Sequence, residues 1–295
     1  MTIGELIDRI YREYLTPPSS TPAATTLTSD INNSTPTIPL DSFLAPEEEA
    51  RLGTGAIMEI GRELLRVLSV DTVTPLSVTV ARAVLGTTAT SHSDGDVVFI
   101  APRWTRQSVF DAVGDAIEQL SDELPGLTHS SPTAVSDWAE LTPYDSTLEI
   151  GDAVEVVGAN LFPEGDNLPA WTKNAPRIGI QPAFQSSDVG KVVTVRYRHR
   201  YTRPTDETTT LATLNLTGRD QLIMIGAVVS LVGSSDLELA EQEFIAESLA
   251  AQGYPVGSGI RVQRALIQWR ELLLSRAQTT FHQSNRPTIR QLEPW

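Results

Sequence analysis

The sequence predicts an α+β protein in which helices near both ends and in the middle of the chain alternate with two β-rich regions. Apolar residues recur at helical spacing in residues 2–15, after Thr105 and after Arg219. Short β-prone runs separated by Gly and Pro fill residues 37–102, and strict alternation marks residues 191–202. We therefore expect a small β-barrel-like module and a β-sandwich insertion between the helices.

The composition limits the function. The chain has 295 residues, no Cys and a formal net charge of -15. Disulfides and thiolate chemistry are excluded, so a metal site would have to use His and carboxylates. The acidic balance argues against general affinity for nucleic acid, because phosphate contacts need a basic face. With no apolar signal segment at the start, synthesis in the cytoplasm and no membrane association are expected.

Six consecutive segments are predicted from the pattern. They are an N-terminal helix and linker (1–25), the small β module (26–102), a helix and loop (103–145), the β-sandwich insertion (146–217), C-terminal helices (218–281) and an extended tail (282–295). In the β module, strands are expected at residues 56–60, 63–70, 77–81 and 96–100, and this spacing fits a small barrel or a sandwich.

In the middle of the chain, the helix that begins at Thr105 should bury one stripe and end near Gly126. Residues 128–143 are polar and are predicted to be a loop. Strands are expected at residues 148–157 and 191–202, with exposed loops at residues 160–169 and 202–210.

The C-terminal helices are the most apolar part of the chain. Residues 222–232 (LIMIGAVVSLV) present apolar side chains on every side, so this helix should be buried all round. The last helix carries two apolar stripes. One contains Val262, Leu266, Trp269 and Leu273, and the other contains Ile260, Ile267, Leu274 and Phe281. Two stripes favour two partners, and we expect the second stripe to contact another subunit.

A pattern within the β module resembles a small β module of structural proteins in tailed bacteriophages. Residues 60–67 match I-G-x-E-x-x-R-V, residues 80–88 match V-x-R-x-x-x-G-T-T, and residues 92–95 match H-x-x-G. Later in the chain, Val195, Tyr197 and Arg198 are followed by Asp220, Gly226, Ala227 and Leu231 and by an Arg- and Leu-rich helix from Gly259. This order resembles the head-to-tail connector (neck or adaptor) proteins of long-tailed phages.

The resemblance implies a virion protein with a helical core that carries the β elements. It implies a homo-oligomeric ring, dodecameric in that family, between the portal protein and the next neck or tail protein. Double-stranded DNA would pass without sequence-specific binding, and the expected location is the virion neck. The alternatives are a minor tail or baseplate protein and a sugar- or metal-binding β-sandwich module suggested by Trp171 and His92.

Three residues of one short segment form a weak metal candidate. His92, Asp94 and Asp96 lie two apart, so in an extended chain they would share one side and offer an imidazole and two carboxylates to a cation. The alternative is a Ser/Asp/Gly turn between strands. No catalytic residue is predicted, because neither a nucleophile elbow nor a phosphate-binding Gly-rich loop is present, and no cofactor is expected.

Two further segments are candidate interfaces. Arg196, Arg198 and Arg200 alternate with aromatic rings on a predicted strand. Such a strand could bind nucleic acid, pair with carboxylates of a neighbouring subunit, or be a solvated face. The tail combines Ile289, Leu292 and Trp295 with prolines and arginines, which favours docking in a groove of a partner such as the portal.

Overall fold

The computed structural model describes most of the chain. The described residues are 1–16, 23–41, 51–71, 76–124, 126–134, 147–149, 153–162, 167–168, 170–174, 177–180, 192–214, 216, 218–233, 239–253 and 262–284. Within them the chain mixes helices with antiparallel sheets, and the predicted α+β composition is confirmed. None of the helices in this part of the chain is both long and apolar enough to cross a bilayer.

Five α-helices lie within the described residues. They are α1 (Ile3–Ile10), α2 (Arg106–Glu123), α3 (Asp220–Gly233), α4 (Leu239–Ala251) and α5 (Val262–Ser284), and a π-helical turn (Tyr11–Leu15) continues α1. The predicted helix at residues 2–15, the helix after Thr105 and the buried helix at residues 222–232 are confirmed. The hydroxyl of Thr105 accepts a hydrogen bond from the Ser108 amide at 3.1 Å, which caps α2 as its sequence predicts.

The chain separates into two compact units. The half-barrel unit comprises Ile3–Val113 and Met224–Gln268, and the sheet unit comprises Met1–Thr2, Gly114–Ile223 and Trp269–Trp295.

The half-barrel unit is built on one six-stranded antiparallel sheet. Its strands are β1 (Ala24–Thr26), β2 (Thr37–Pro39), β3 (Ile57–Ile60), β4 (Glu63–Asp71), β5 (Ser77–Ala81) and β6 (Val97–Ile100), in the order β1-β6-β3-β4-β5-β2. The sheet curls so far that its two edges come together. The Asp41 amide, just after β2, donates to the Thr26 carbonyl of β1 at 2.9 Å. Alternate side chains fill the concave side, among them Ile38, Met58 and Val98, all fully buried.

Helix α1 and its π-helical turn are integral parts of this unit. Ile3, Leu6, Ile7 and Ile10 have no exposed surface, as the helical spacing predicts. Tyr14 is equally buried, and its hydroxyl accepts a hydrogen bond from the side-chain amide of Gln252, which follows α4. Burial raises the pKa of Tyr14 to about 12, so the phenol stays neutral.

The sheet unit contains two antiparallel sheets. Strands β7 (Gly126–Ala134), β9 (Ala153–Phe162), β10 (Asn167–Leu168) and β13 (Val192–His199) form one in the order β10-β9-β13-β7, and β8 (Thr147–Glu149), β11 (Ala170–Asn174) and β12 (Arg177–Ile180) form the other in the order β11-β12-β8.

Three sequence predictions for this region are wrong in part. Residues 126–134 are a strand and not a loop, because β7 pairs along β13. The strand expected at residues 148–157 is two strands, β8 and β9, which belong to different sheets. The loop expected at residues 160–169 contains the end of β9 and all of β10. Helix α5 also continues to Ser284, beyond the boundary predicted at residue 281.

Replacing Ile7 by Ala should lower the free energy of unfolding by about 3 kcal/mol, because the change leaves a cavity under α1. Urea unfolding followed by circular dichroism measures this loss. The matched control is Glu247→Ala on the exposed side of α4, which should change stability by less than about 0.5 kcal/mol. A loss at Ile7 no larger than in the control would show that α1 is not part of the folded core.

Candidate functional site

The half-barrel unit contains a buried carboxylate, Glu63, at the first position of β4. Its side chain has no exposed surface. Arg82 donates to it through two nitrogens, Nε to Oε1 at 2.8 Å and Nη2 to Oε2 at 2.6 Å. The Thr90 amide donates to Oε2 at 3.0 Å, and Nε2 of His92 lies 2.9 Å from the same oxygen. A buried charge held by this many donors is the arrangement that low-dielectric surroundings require.

Arg82 extends this network to two loops. Its Nη1 donates to the Asn32 carbonyl, and Nη2 also donates to the Thr90 carbonyl at 2.6 Å. The side chain is only 8% exposed, so these contacts form away from bulk water. One guanidinium therefore connects the start of β4 to the segment around Asn32 and to the segment around Thr90.

His92 lies on the second of these segments. Its backbone pairs with Ile31, with amide-to-carbonyl distances of 2.9 and 3.0 Å in the two directions. Together, the side-chain and backbone contacts fix the region around Asn32 against that around Thr90. The network is therefore a structural clamp with Glu63 at its centre, and we refer to it as the Glu63 clamp.

The clamp lowers the pKa of Glu63. Burial alone would raise it, but hydrogen bonds from Arg82, the Thr90 amide and His92 outweigh burial. The carboxylate is therefore ionised at neutral pH. With its oxygens occupied by these donors, Glu63 is suited to holding the fold together and not to accepting a proton from a substrate.

Each of the three residues of the metal candidate has a contact of another kind in the structure. His92 points at Glu63, with Nδ1 3.8 Å from Asp96, while Asp96 accepts a hydrogen bond from the Ser93 amide at 2.9 Å. Asp94 is held through its backbone amide, which donates to Asp30 at 2.8 Å. Residues 93–96 form the turn that was the alternative interpretation. No group of three or more His, Asp and Glu side chains placed to hold a metal ion occurs among the described residues.

The G-T-T part of the motif makes a tight turn after β5. Ala83 and Leu85 adopt left-handed backbone conformations, with φ of 52° and 55°, which non-glycine residues rarely do. The Thr87 hydroxyl donates to the Val84 carbonyl at 2.9 Å and accepts from the Leu64 amide at 3.1 Å. Thr87 thus fastens the turn to the start of β4, beside Glu63.

The predicted arginine strand is described in part. Arg196 and Arg198 lie on β13, and their side chains lie outside the described atoms. Arg200 is exposed, with Nη2 3.5 Å from Asp122 of α2, and a pair this exposed contributes little to stability. The rings of His199 and Tyr201 are buried in an edge-on contact. These two rings are therefore closed to base stacking, which a nucleic-acid platform would need.

The acidic side of α2 also binds Arg203 from the loop after β13. Nη1 of Arg203 lies 2.7 Å from Asp115 and 3.5 Å from Glu118. The approach depends on Gly114, where a Cβ atom would come within 2.7 Å of the guanidinium. The arginines of this loop that the structure describes thus have carboxylate partners within their own chain.

Helix α5 exposes part of its apolar surface. Val262, Leu266 and Trp269 of the first stripe are buried, and Leu273 of that stripe is partly exposed. Ile267 of the second stripe is 43% exposed, and Leu274 is partly exposed. Ile260, Ile289, Leu292 and Trp295 lie outside the described residues, as does the side chain of Phe281. Ile267 is therefore accessible on the surface of the isolated chain.

No protein-family model matches this chain, and no curated protein is significantly similar to it in sequence.

Replacing Glu63 by Gln should lower the free energy of unfolding by about 3 kcal/mol at pH 7, because Arg82 is left without its buried counter-charge. Urea titration measures the loss, and Glu247→Gln on the exposed side of α4 is the isosteric control. If both variants matched the unchanged protein, the clamp would contribute nothing.

The comparison of the unchanged protein with Glu63→Gln also predicts a pH dependence. The folded pKa of Glu63 lies below its ordinary value of 4.5, so its stabilisation is complete above that pH and is lost as pH falls through the folded pKa. The stability difference between the unchanged protein and Glu63→Gln should therefore shrink below about pH 4.5. Urea titrations from pH 7 to pH 3 test this, and a difference that stays constant over that range would contradict it.

Proposed function

We propose that this chain is a head-to-tail connector subunit of a long-tailed bacteriophage, a virion structural protein and not an enzyme. It assembles as a ring in the neck, between the portal and the next neck or tail protein, and DNA passes through. The observation that carries the proposal is the Glu63 clamp. Glu63, Arg82 and His92 come from three separate parts of the phage-like motif, and both Arg82 and His92 contact Glu63.

This convergence favours the motif as the signature of a folded module. A chance match of letters gives no reason for Arg82 and His92 to meet at the buried carboxylate of Glu63. The turn adds a second point of agreement, because the G-T-T residues anchor β4 through Thr87. The motif resembles a module of structural proteins in tailed phages, so the clamp supports that class first and the connector within it second.

The α5 stripe supports the assembly part of the proposal. A ring subunit needs apolar surface that stays exposed in the isolated chain and is covered by its neighbour. Ile267 and Leu274 provide such a surface on a long helix. Leu272, on the same helix, is also exposed.

The charge of the chain is compatible with a DNA passage. Glu243 and Glu247 are exposed on α4, and the net charge is -15. Like charge keeps a duplex from adhering to the wall it passes. The buried rings of His199 and Tyr201 likewise favour DNA passage over DNA binding.

A minor tail or baseplate protein would share the β module and the clamp. Binding to a purified portal ring distinguishes the two functions. A connector binds the ring directly, whereas a baseplate protein does not. A sugar- or metal-binding module would instead remain monomeric and gain thermal stability from its ligand.

Replacing Ile267 by Asp should prevent ring formation and reduce co-sedimentation with purified portal rings at least tenfold. The reason is that a carboxylate would be buried without a partner in the subunit contact. Because Ile267 is exposed in the isolated chain, circular dichroism and thermal unfolding should be unchanged.

The matched control is Asn33→Asp, which adds the same charge at an exposed turn. Normal rings from the Ile267 variant would exclude α5 from the interface. Failure of the unchanged protein to sediment with portal would contradict the connector function itself.

A further inference from the structure

The half-barrel unit carries an apolar groove beside the Glu63 clamp, and His92 of the clamp is one of its lining residues. Its cavity volume is about 850 Å³. The convex side of β3 and β6 forms one wall, and α1 with its π-helical turn, the segment before α2, and α4 form the others. Its apolar and aromatic lining includes Tyr11, Ile60, Val97, Phe99, Trp104 and Phe244. Val97 is 47% exposed there, which is high for a Val on a paired strand.

Polar groups in the wall of the groove already have partners. The Tyr11 hydroxyl donates to the Trp104 carbonyl at 2.9 Å, and the Glu59 carboxylate accepts from the Arg106 amide at the start of α2. A polar small molecule would have to displace these bonds, whereas an apolar side chain would leave them in place. The interior of the groove therefore favours an apolar occupant.

Charged groups lie at the rim. Asp8 is 61% exposed in its side chain and Asp96 is 46% exposed. Asp8 pairs with Arg106 at 2.8 Å, and Arg12 is exposed nearby. The rim thus offers carboxylates to a basic occupant and one guanidinium to an acidic group.

Residues 285–295 have the composition that such a groove accepts. Ile289, Leu292 and Trp295 are apolar anchors at regular spacing, and Pro287 and Pro294 favour an extended chain. Aromatic-lined grooves commonly bind proline-containing segments in this way. Two arginines, at positions 286 and 290, against one acid, Glu293, make the segment basic on an otherwise acidic chain.

We propose that residues 285–295 of one copy bind in this groove of a second copy, with Trp295 or Leu292 in the apolar interior and the arginines at the acidic rim. A groove and a segment on the same chain are the two halves of a head-to-tail contact, which is the type that closes into a ring. Eleven extended residues span about 35 Å, which sets the greatest distance that the segment can bridge. This inference rests on the proposed ring assembly.

The absence of Cys from the chain makes a direct test simple. Two full-length single variants, Val97→Cys in the groove and Leu292→Cys in the segment, are made with tags of different mass and mixed under mild oxidation. The matched control replaces Val97→Cys by Leu85→Cys, an exposed Leu outside the groove lining. Both Cys positions on the folded unit are exposed, and circular dichroism checks each variant.

The proposal predicts that the Val97–Leu292 heterodimer forms at least tenfold faster than the Leu85–Leu292 heterodimer. Equal rates would overturn docking in the groove. The double variant Val97→Cys/Leu292→Cys tests the alternative occupant. A rapid intrachain disulfide there, without heterodimer in the mixture, would overturn the second copy as the source of the segment.

Electron microscopy of the same samples separates this inference from the proposed function. Rings that bind portal without preferential cross-linking would retain the connector function and overturn the groove contact. Preferential cross-linking in open chains that ignore portal would retain the groove contact and overturn the connector function.

Discussion

The buried carboxylate of Glu63 is the constraint on which the half-barrel depends. It starts β4, next to the turn that leads from β3, and a charge at this depth is tolerated only because Arg82, Thr90 and His92 surround it. Those partners belong to segments that would otherwise be long irregular loops. The requirement to neutralise one carboxylate therefore orders the end of the half-barrel, including the turn that presents Leu85.

The same constraint explains why the phage-like motif has its particular letters. A buried charge needs a partner, and the motif spaces Glu63, Arg82 and His92 so that the fold brings them together, while its Arg66 is exposed. Its Gly and Thr residues serve the turn, where Gly86 has a φ of 82° and Thr87 fastens the backbone to β4. The motif thus reflects the packing and electrostatics of one folded module. The functional proposal depends on which proteins contain that module.

Much of the fold follows from local sequence. Periodicity predicts α1, α2 and α3 because each has one or more faces that must leave water. The bounds predicted for β3 to β6 agree with the structure within one residue. The prediction fails where pairing decides the outcome. Residues 126–134 are polar, and they form β7 because β13 pairs with residues 126–130 and again with Thr133 and Ala134. The division into β8 and β9 depends in the same way on neighbours distant in sequence.

The candidate sites show the same limit. The residues of the clamp stand out in the sequence, but their contacts do not, since the spacing of His92, Asp94 and Asp96 suggests one shared side and the turn at Gly95 breaks it. The groove could not be predicted, because its lining comes from α1, β3, β6 and α4, elements that only the tertiary fold brings together. The exposed stripe of α5, in contrast, is a local pattern and was predictable.

The central claim is that the chain assembles as a ring on a portal. The mass and symmetry of the purified protein test this claim most directly. Light scattering and negative-stain class averages would be recorded for the purified full-length protein, alone and mixed with portal-bearing particles. The account predicts a closed ring with rotational symmetry, either in solution or only on the portal. A monomer that ignores the portal under both conditions would contradict it.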